Sequence, residues 1–285
     1  MTLTVGSGPF GQAPGGSFNF VPPPGGVLYL ERSWRRVRAV LGDVTVADSR
    51  RPWVLHESGT LPKYHFPRDD VRMDLLEPEG RAPGSALRGE EERYAVRAGE
   101  RVVPGAAWSH PDPPAGAPEG LAGLVALRWD AMDEWWEEDE QVFVHLRDPY
   151  HRVDVLDASR HIVVALGGEV LADSTRARVL FETALPARWY LPAEDVRGDL
   201  LEPMDLTTGC AYKGFARYWS LRTADGAVSA LAWTYDEPRR EVAPIRGMRC
   251  FFDERVDVTI DDEPQTRPRT PWSAPDWHLR LQGPP

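Results

Sequence analysis

Short apolar runs alternating with polar residues dominate this chain. VRAVLGDVTVADS, residues 37–49, and IVVALGGEVLADS, residues 162–174, each read as two short strands joined at Gly-Asp or Gly-Gly, the signature of a β-hairpin. RVLFETAL, residues 178–185, sets Val179 and Phe181 against Leu180 and Glu182 on opposite sides, as a strand does. ARYWSLRT and ALAWTYD are aromatic-rich strands. One segment carries a different period: in DAMDEWWEEDE, residues 130–140, Met132, Trp135 and Trp136 fall on a common helical face, which predicts a helix. Gly, Pro and Asp clusters between short strands predict a mainly β fold, with two tandem small β-rich domains and few short helices, and exclude a βαβ architecture.

The tandem arrangement is visible as a repeat. Residues 39–78 align without gaps to residues 164–203, and 18 of the 40 pairs are identical. The strongest block is DVRMDLLEP, residues 70–78, against DVRGDLLEP, residues 195–203. The same offset of 125 still holds at Ala107-Trp108 against Ala232-Trp233 and at Pro113 against Pro238, as a duplication requires. The chain divides into a flexible Gly/Pro-rich tail (1–29), a first repeat (30–156), a second repeat (157–264) and a Pro-rich C-terminal tail (265–285).

Composition narrows the function. A net charge of −11 argues against a nucleic-acid partner, and no apolar run approaches a membrane span. Residues 1–29 lack a signal-peptide layout, so a cytoplasmic protein is expected. The two cysteines, Cys210 and Cys250, form no CxxC pair and require no disulfide. Lys63 and Lys213 are the only lysines beside 31 arginines. Lys213, kept in such a background, invites a question about amine chemistry, because arginine is not deprotonated.

The chemistry concentrates where the repeats diverge. TTGCAYKGFARYW, residues 207–219, stands opposite APGSALRGEEERY, residues 82–94, and little besides Gly214 and Gly89 is shared. Cys210, Tyr212 and Lys213 could converge on one pocket if Gly214 turns the chain. They would then supply a nucleophilic thiol beside a cation, or a Tyr/Lys acid–base pair. The alternative is a small packing cysteine with Lys213 at the rim.

The motifs ADST, DVRxDLLEP, CxYKGxAxYWS and WxYxxP together resemble the family known as domain of unknown function 427, which also carries a nucleotidyltransferase-like label. The second repeat keeps that pattern at Cys210, Tyr212, Lys213, Gly214, Tyr218, Trp219, Trp233 and Tyr235, with Gly-Cys-Ala where the family shows His-Cys-Pro; the first repeat lacks the cysteine motif. The resemblance implies a compact Mss4-like β fold and a bacterial source. The paired CxxC ligands of a structural zinc are missing, as are a P-loop and the spaced acidic pair of phosphoryl-transfer chemistry, so no metal and no cofactor is expected.

These readings lead to a small-molecule enzyme with its pocket in the second repeat and the first repeat as scaffold. Cys210, Lys213, Tyr212 and Glu202 are the expected catalytic residues. Tyr218, Trp219, Arg197, Tyr235, Trp189 and Tyr190 are the expected ligand contacts. Glu57 and Glu182, Asp74 and Asp199, and Glu77 and Glu202 occur in both repeats and read as structural, although Glu202 is also the candidate general base. His145, Asp148 and His151 read as a polar inter-domain contact rather than a metal site. Two other functions stay open: a non-catalytic module holding an anionic ligand, and a structural or interaction protein. A separate role for the first repeat through Tyr64, His65 and His110 is a further alternative.

Overall fold

A computed structural model of the chain describes residues 3–21, 23–223 and 226–278. It separates into two compact units, Met1–His151 and Arg152–Pro285. The first contains β1 (Leu28–Arg32), β2 (Val37–Leu41), β3 (Val44–Ser49), β4 (Trp53–Glu57), β5 (Lys63–Pro67), β6 (Leu76–Ala82), β7 (Glu91–Ala98), β8 (Arg101–Ser109), β9 (Leu124–Leu127), β10 (Glu134–Glu137) and β11 (Glu140–Val142). The second contains β12 (Val153–Asp157), β13 (Ile162–Leu166), β14 (Glu169–Ser174), β15 (Arg178–Glu182), β16 (Arg188–Leu191), β17 (Leu201–Cys210), β18 (Gly214–Thr223), β19 (Gly226–Tyr235), β20 (Arg249–Phe251), β21 (Asp257–Ile260) and β22 (Glu263–Pro264).

Each unit is built from a seven-stranded and a four-stranded sheet of matching topology. The larger sheets run β1-β4-β5-β9-β8-β7-β6 and β12-β15-β16-β20-β19-β18-β17; the smaller run β11-β10-β2-β3 and β14-β13-β21-β22. Alternation puts Val37, Ala39 and Leu41 of β2 wholly inside, packed with Tyr64 and Phe66 of β5 and Val96 of β7. Ile162, Leu221, Leu231 and Phe251 form the matching core of the second unit. Even the irregularities repeat: the β2–β3 bulge at Ala39/Val40 recurs at Val164/Ala165.

The strongest sequence match has a structural cause. Ser49 donates to Asp70 at 2.6 Å, and Ser174 donates to Asp195 at the same distance. Isolated bridges join Ala47 to Val71 and Ala172 to Val196. Arg72 then grips Asp74 at 2.8 and 2.6 Å, as Arg197 grips Asp199 at 2.8 and 2.7 Å. The Ala-Asp-Ser and Asp-Val-Arg blocks therefore fasten the entry to each long hairpin, and both repeats need them.

Three expectations are corrected. Residues 130–140 form no α-helix: a single 3-10 turn ends at Ala131, β10 pairs with β2, and a turn at Glu138 (φ 53°) leads into β11. Trp135 is buried and stacks on Trp129 at 4.5 Å, while Trp136 lies under Arg38, so the two indoles occupy opposite faces. Pairing with β2 overrides the helical period. The described part of the N-terminal segment is also anchored: Thr4 is buried and donates to Thr60 O at 3.0 Å, and β1 begins at Leu28. At the other end, residues 270–278 pack on the second unit, whereas residues 279–285 lie outside the described part.

Candidate functional site

Cys210 closes β17 and lies opposite Gly214, the first residue of β18, so Ala211, Tyr212 and Lys213 form the hairpin turn. Gly214 has φ 102°, and a Cβ there would sit 3.1 Å from Glu237 O. Gly89 has φ 78° and meets Pro114 and Asp112 O at 3.1 and 3.2 Å in the same way. Left-handed backbone and close approach of the following loop explain why both copies keep glycine at this position.

The lysine is held by a carboxylate. Lys213 forms an ion pair with Glu182 of β15, and their side chains are only 13 % and 4 % exposed. Burial opposes the charge, but Glu182, with Cys210 and Tyr190 nearby, holds the ammonium above its ordinary pKa. The first repeat keeps this pair in another form. Arg88, 125 positions before Lys213, binds Glu57, 125 positions before Glu182, at 2.8 Å, and also Glu91 at 2.8 Å. A cation against this glutamate is thus common to both repeats; the thiol and the phenols are what the second repeat adds.

Tyr190, Tyr218 and Tyr235 are buried on one face of the larger sheet of the second unit. Tyr190 accepts a hydrogen bond from Trp233 Nε1 at 3.0 Å, and Tyr218 shares one with Thr208 at 2.7 Å. Burial raises all three phenols above their ordinary pKa, keeping them neutral donors. Burial, and secondarily Asp253, likewise pushes the fully buried Cys250 thiol up. Cys210 is a half-buried free thiol.

Four expected site residues lie elsewhere. Trp189 and Trp219 each adjoin a tyrosine on a strand and so face the opposite side; both pack with the core between the sheets. Arg249 lies 4.0 Å over the Trp219 ring, and Arg160 lies 5.8 Å over Trp189. Glu202 accepts from Arg222 of the neighbouring strand at 2.7 Å with its side chain half exposed. Arg197 is committed to Asp199 and is equally exposed. Glu202 is thus engaged in an exposed cross-strand ion pair.

A buried network escaped sequence reasoning. Arg188, the counterpart of Lys63, makes two bonds to Glu254, at 2.8 and 2.6 Å, with side-chain exposures of 7 % and 0 %. Its guanidinium also lies within 6.0 Å of the Trp233, Phe252 and Trp272 rings. Thr270 donates to Glu254, and Trp277 packs on Tyr218 and Phe252 with centroids 5.5 and 5.0 Å away. The C-terminal segment thus covers the aromatic face; two tryptophans in a Pro-rich stretch, WSAPDW, were the available signal. Asp253 lies 3.7 Å from Arg188, and burial, with Glu254 adding to it against Arg188, raises its carboxyl to about 7.

Two surface cavities belong to this unit, and neither is lined by Cys210, Tyr212 or Lys213. One of about 680 Å³ is bordered by Arg176, Arg178, Glu194 and Arg246. The other, of about 510 Å³, is mostly apolar, with Val179, Phe181, Trp189 and Ile260 facing Arg160 and Asp253. Among the described residues, no group of three or more His, Cys, Asp or Glu is arranged to hold a metal ion. Among the described residues, no helix is long and apolar enough to cross a membrane.

Two repeats with one strand order, one latch and one buried ion pair define a tandem β-sheet protein whose copies differ in the lining of one sheet face. The family model for Domain of unknown function (DUF427) matches residues 29–138 and again residues 154–262, and the chain belongs to this family. No curated protein matches the chain.

Proposed function

We propose that this chain is a cytoplasmic bacterial protein, Mss4-like in fold, that binds a small, largely apolar molecule in the second repeat. The carrying observation is the apolar cavity of about 510 Å³ with Trp189, Phe181 and Arg160 at its wall and Asp253 as a carboxyl tuned to about 7. A cavity of this size, apolar with a few convergent polar groups and one perturbed acid, is the usual form of a small-molecule site. Arg188 connects Asp253 to Glu254 and to the aromatic face.

Titration with 8-anilinonaphthalene-1-sulfonate tests the reading. Phe181, half exposed at the cavity wall, can be truncated without opening the core. Phe181→Ala should weaken binding about tenfold, equivalent to roughly 1.4 kcal/mol of aromatic contact. Cys210→Ser should leave it unchanged. Unchanged affinity in Phe181→Ala would sink the proposal. A second reading, an enzyme using a reactive Cys210, is favoured by its half-buried free thiol beside Lys213. Because Glu182 already balances the lysine, that reading ranks second. It would prevail if Cys210→Ser abolished a turnover that binding alone does not explain.

A further inference from the structure

We propose that the first repeat carries a site of its own, in which the Lys63 amine condenses with an aldehyde or ketone. Lys63 is the counterpart of Arg188, but nothing in the first repeat replaces Glu254; Asp130, on the corresponding turn, is taken by Arg128 at 3.0 Å. Among the described residues Lys63 has no carboxylate within ion-pair distance, and its hydrogen bond is a long one, 3.4 Å to Leu61 O. The two nearby carboxylates, Glu57 and Glu91, are committed to Arg88. A half-buried ammonium beside an arginine and lacking an anion is destabilised; burial first and Arg88 second lower its pKa. Lys213 is the opposite case, an amine locked as ammonium by Glu182.

The surroundings suit amine chemistry. His65 lies two residues along β5 and therefore on the same face. It is 1 % exposed, and its Nε2 has no partner among the described residues. Trp108 Nε1, edge-on to His65, is likewise buried and unpartnered. Orphaned buried polar atoms are costly, which makes them natural contacts for a ligand. Burial pushes the His65 imidazole down to about 3, so it stays neutral and offers its Nε2 as a hydrogen-bonding group. In the step, the neutral amine attacks the carbonyl carbon, a C–N bond forms, both amine protons leave, and the carbonyl oxygen departs as water, giving an imine.

The full chain should be treated with glycolaldehyde and cyanoborohydride near pH 7, which reduces the imine to a stable secondary amine, and then mapped by mass spectrometry. With only two lysines, and the α-amine on a separate peptide, assignment is direct. Lys63 should label several-fold faster than Nα-acetyl-lysine, because its lowered pKa leaves more of the amine neutral. Lys213 should stay unlabelled. Lys63→Arg copies the residue of the second repeat and should fold while losing the label. Labelling of Lys63 no faster than the free amino acid, or only after unfolding, would overturn the proposal.

Discussion

The two repeats share a backbone and an ion pair but differ in how the charges are finished. In the second, Glu182 pairs with Lys213, and Glu254 completes Arg188. In the first, Arg88 draws on both Glu57 and Glu91, while Lys63 is left without a carboxylate. Around these cations stand thiol and phenols in one copy, Cys210, Tyr190, Tyr218 and Tyr235, and serine, imidazoles and arginine in the other, Ser85, His65, Arg93 and His110. The comparison teaches that the cation–glutamate pair is common to both copies, whereas the groups around it differ. Of the first repeat's three consecutive glutamates, Glu91 and Glu92 open β7, and Glu91 is buried and engaged.

The largest effect that should break the symmetry is removal of the shared glutamate. Glu182→Ala strands Lys213 as a buried unpaired charge and should cost about 3–5 kcal/mol in denaturant unfolding. Glu57→Ala should cost clearly less, because Arg88 retains Glu91. Equal losses would mean that the pairs are not differently finished.

Next comes pH, to which the repeats should respond in opposite senses. The folded pKa of Asp253, about 7, lies above its ordinary 3.8. Its contribution to stability is therefore fully present below 3.8 and lost as pH rises through about 7, with a limit of about 4 kcal/mol. His65 is depressed from 6.5 to about 3, so its contribution is present above 6.5 and lost on acidification below it. That loss is about 1.4 kcal/mol per pH unit. Hydrogen exchange of β16 should thus quicken from pH 5 towards pH 8, and that of β5 should quicken from pH 7 towards pH 4, after correction for intrinsic rates. Asp253→Asn and His65→Gln should each flatten their own profile and leave the other intact.

The smallest effect belongs to Glu202. Its pairing with Arg222 is exposed, so Glu202→Ala should change stability by less than about 0.5 kcal/mol and leave dye binding untouched. A large loss of binding would return Glu202 to the site.

Much of this was legible in the sequence because it depends on local rules. The hairpins of β2–β3 and β13–β14, the tandem repeat and the aromatic strands follow from period-2 alternation and turn glycines. Tyr190, Tyr218, Tyr235, Cys210 and Lys213 do gather in one region. Trp189 and Trp219 were misplaced because neighbouring aromatics on a strand were treated as one patch, although adjacent side chains point to opposite faces. The helix expected at residues 130–140 failed because pairing with β2 outweighs local period. Arg188–Glu254 and the folding back of Trp272 and Trp277 were not legible, since they join positions 66 residues apart or lie in a stretch whose composition suggested a loose tail.

The most direct test of the account is the affinity of the anilinonaphthalene dye from pH 5.5 to 8.5 for the wild-type chain and Asp253→Asn. An anionic dye beside a carboxyl that ionises near 7 should bind less tightly as pH rises through that value, and the asparagine variant should bind with no such fall. The same fall in both proteins would contradict placement of the site at Asp253, and so the account of the second repeat.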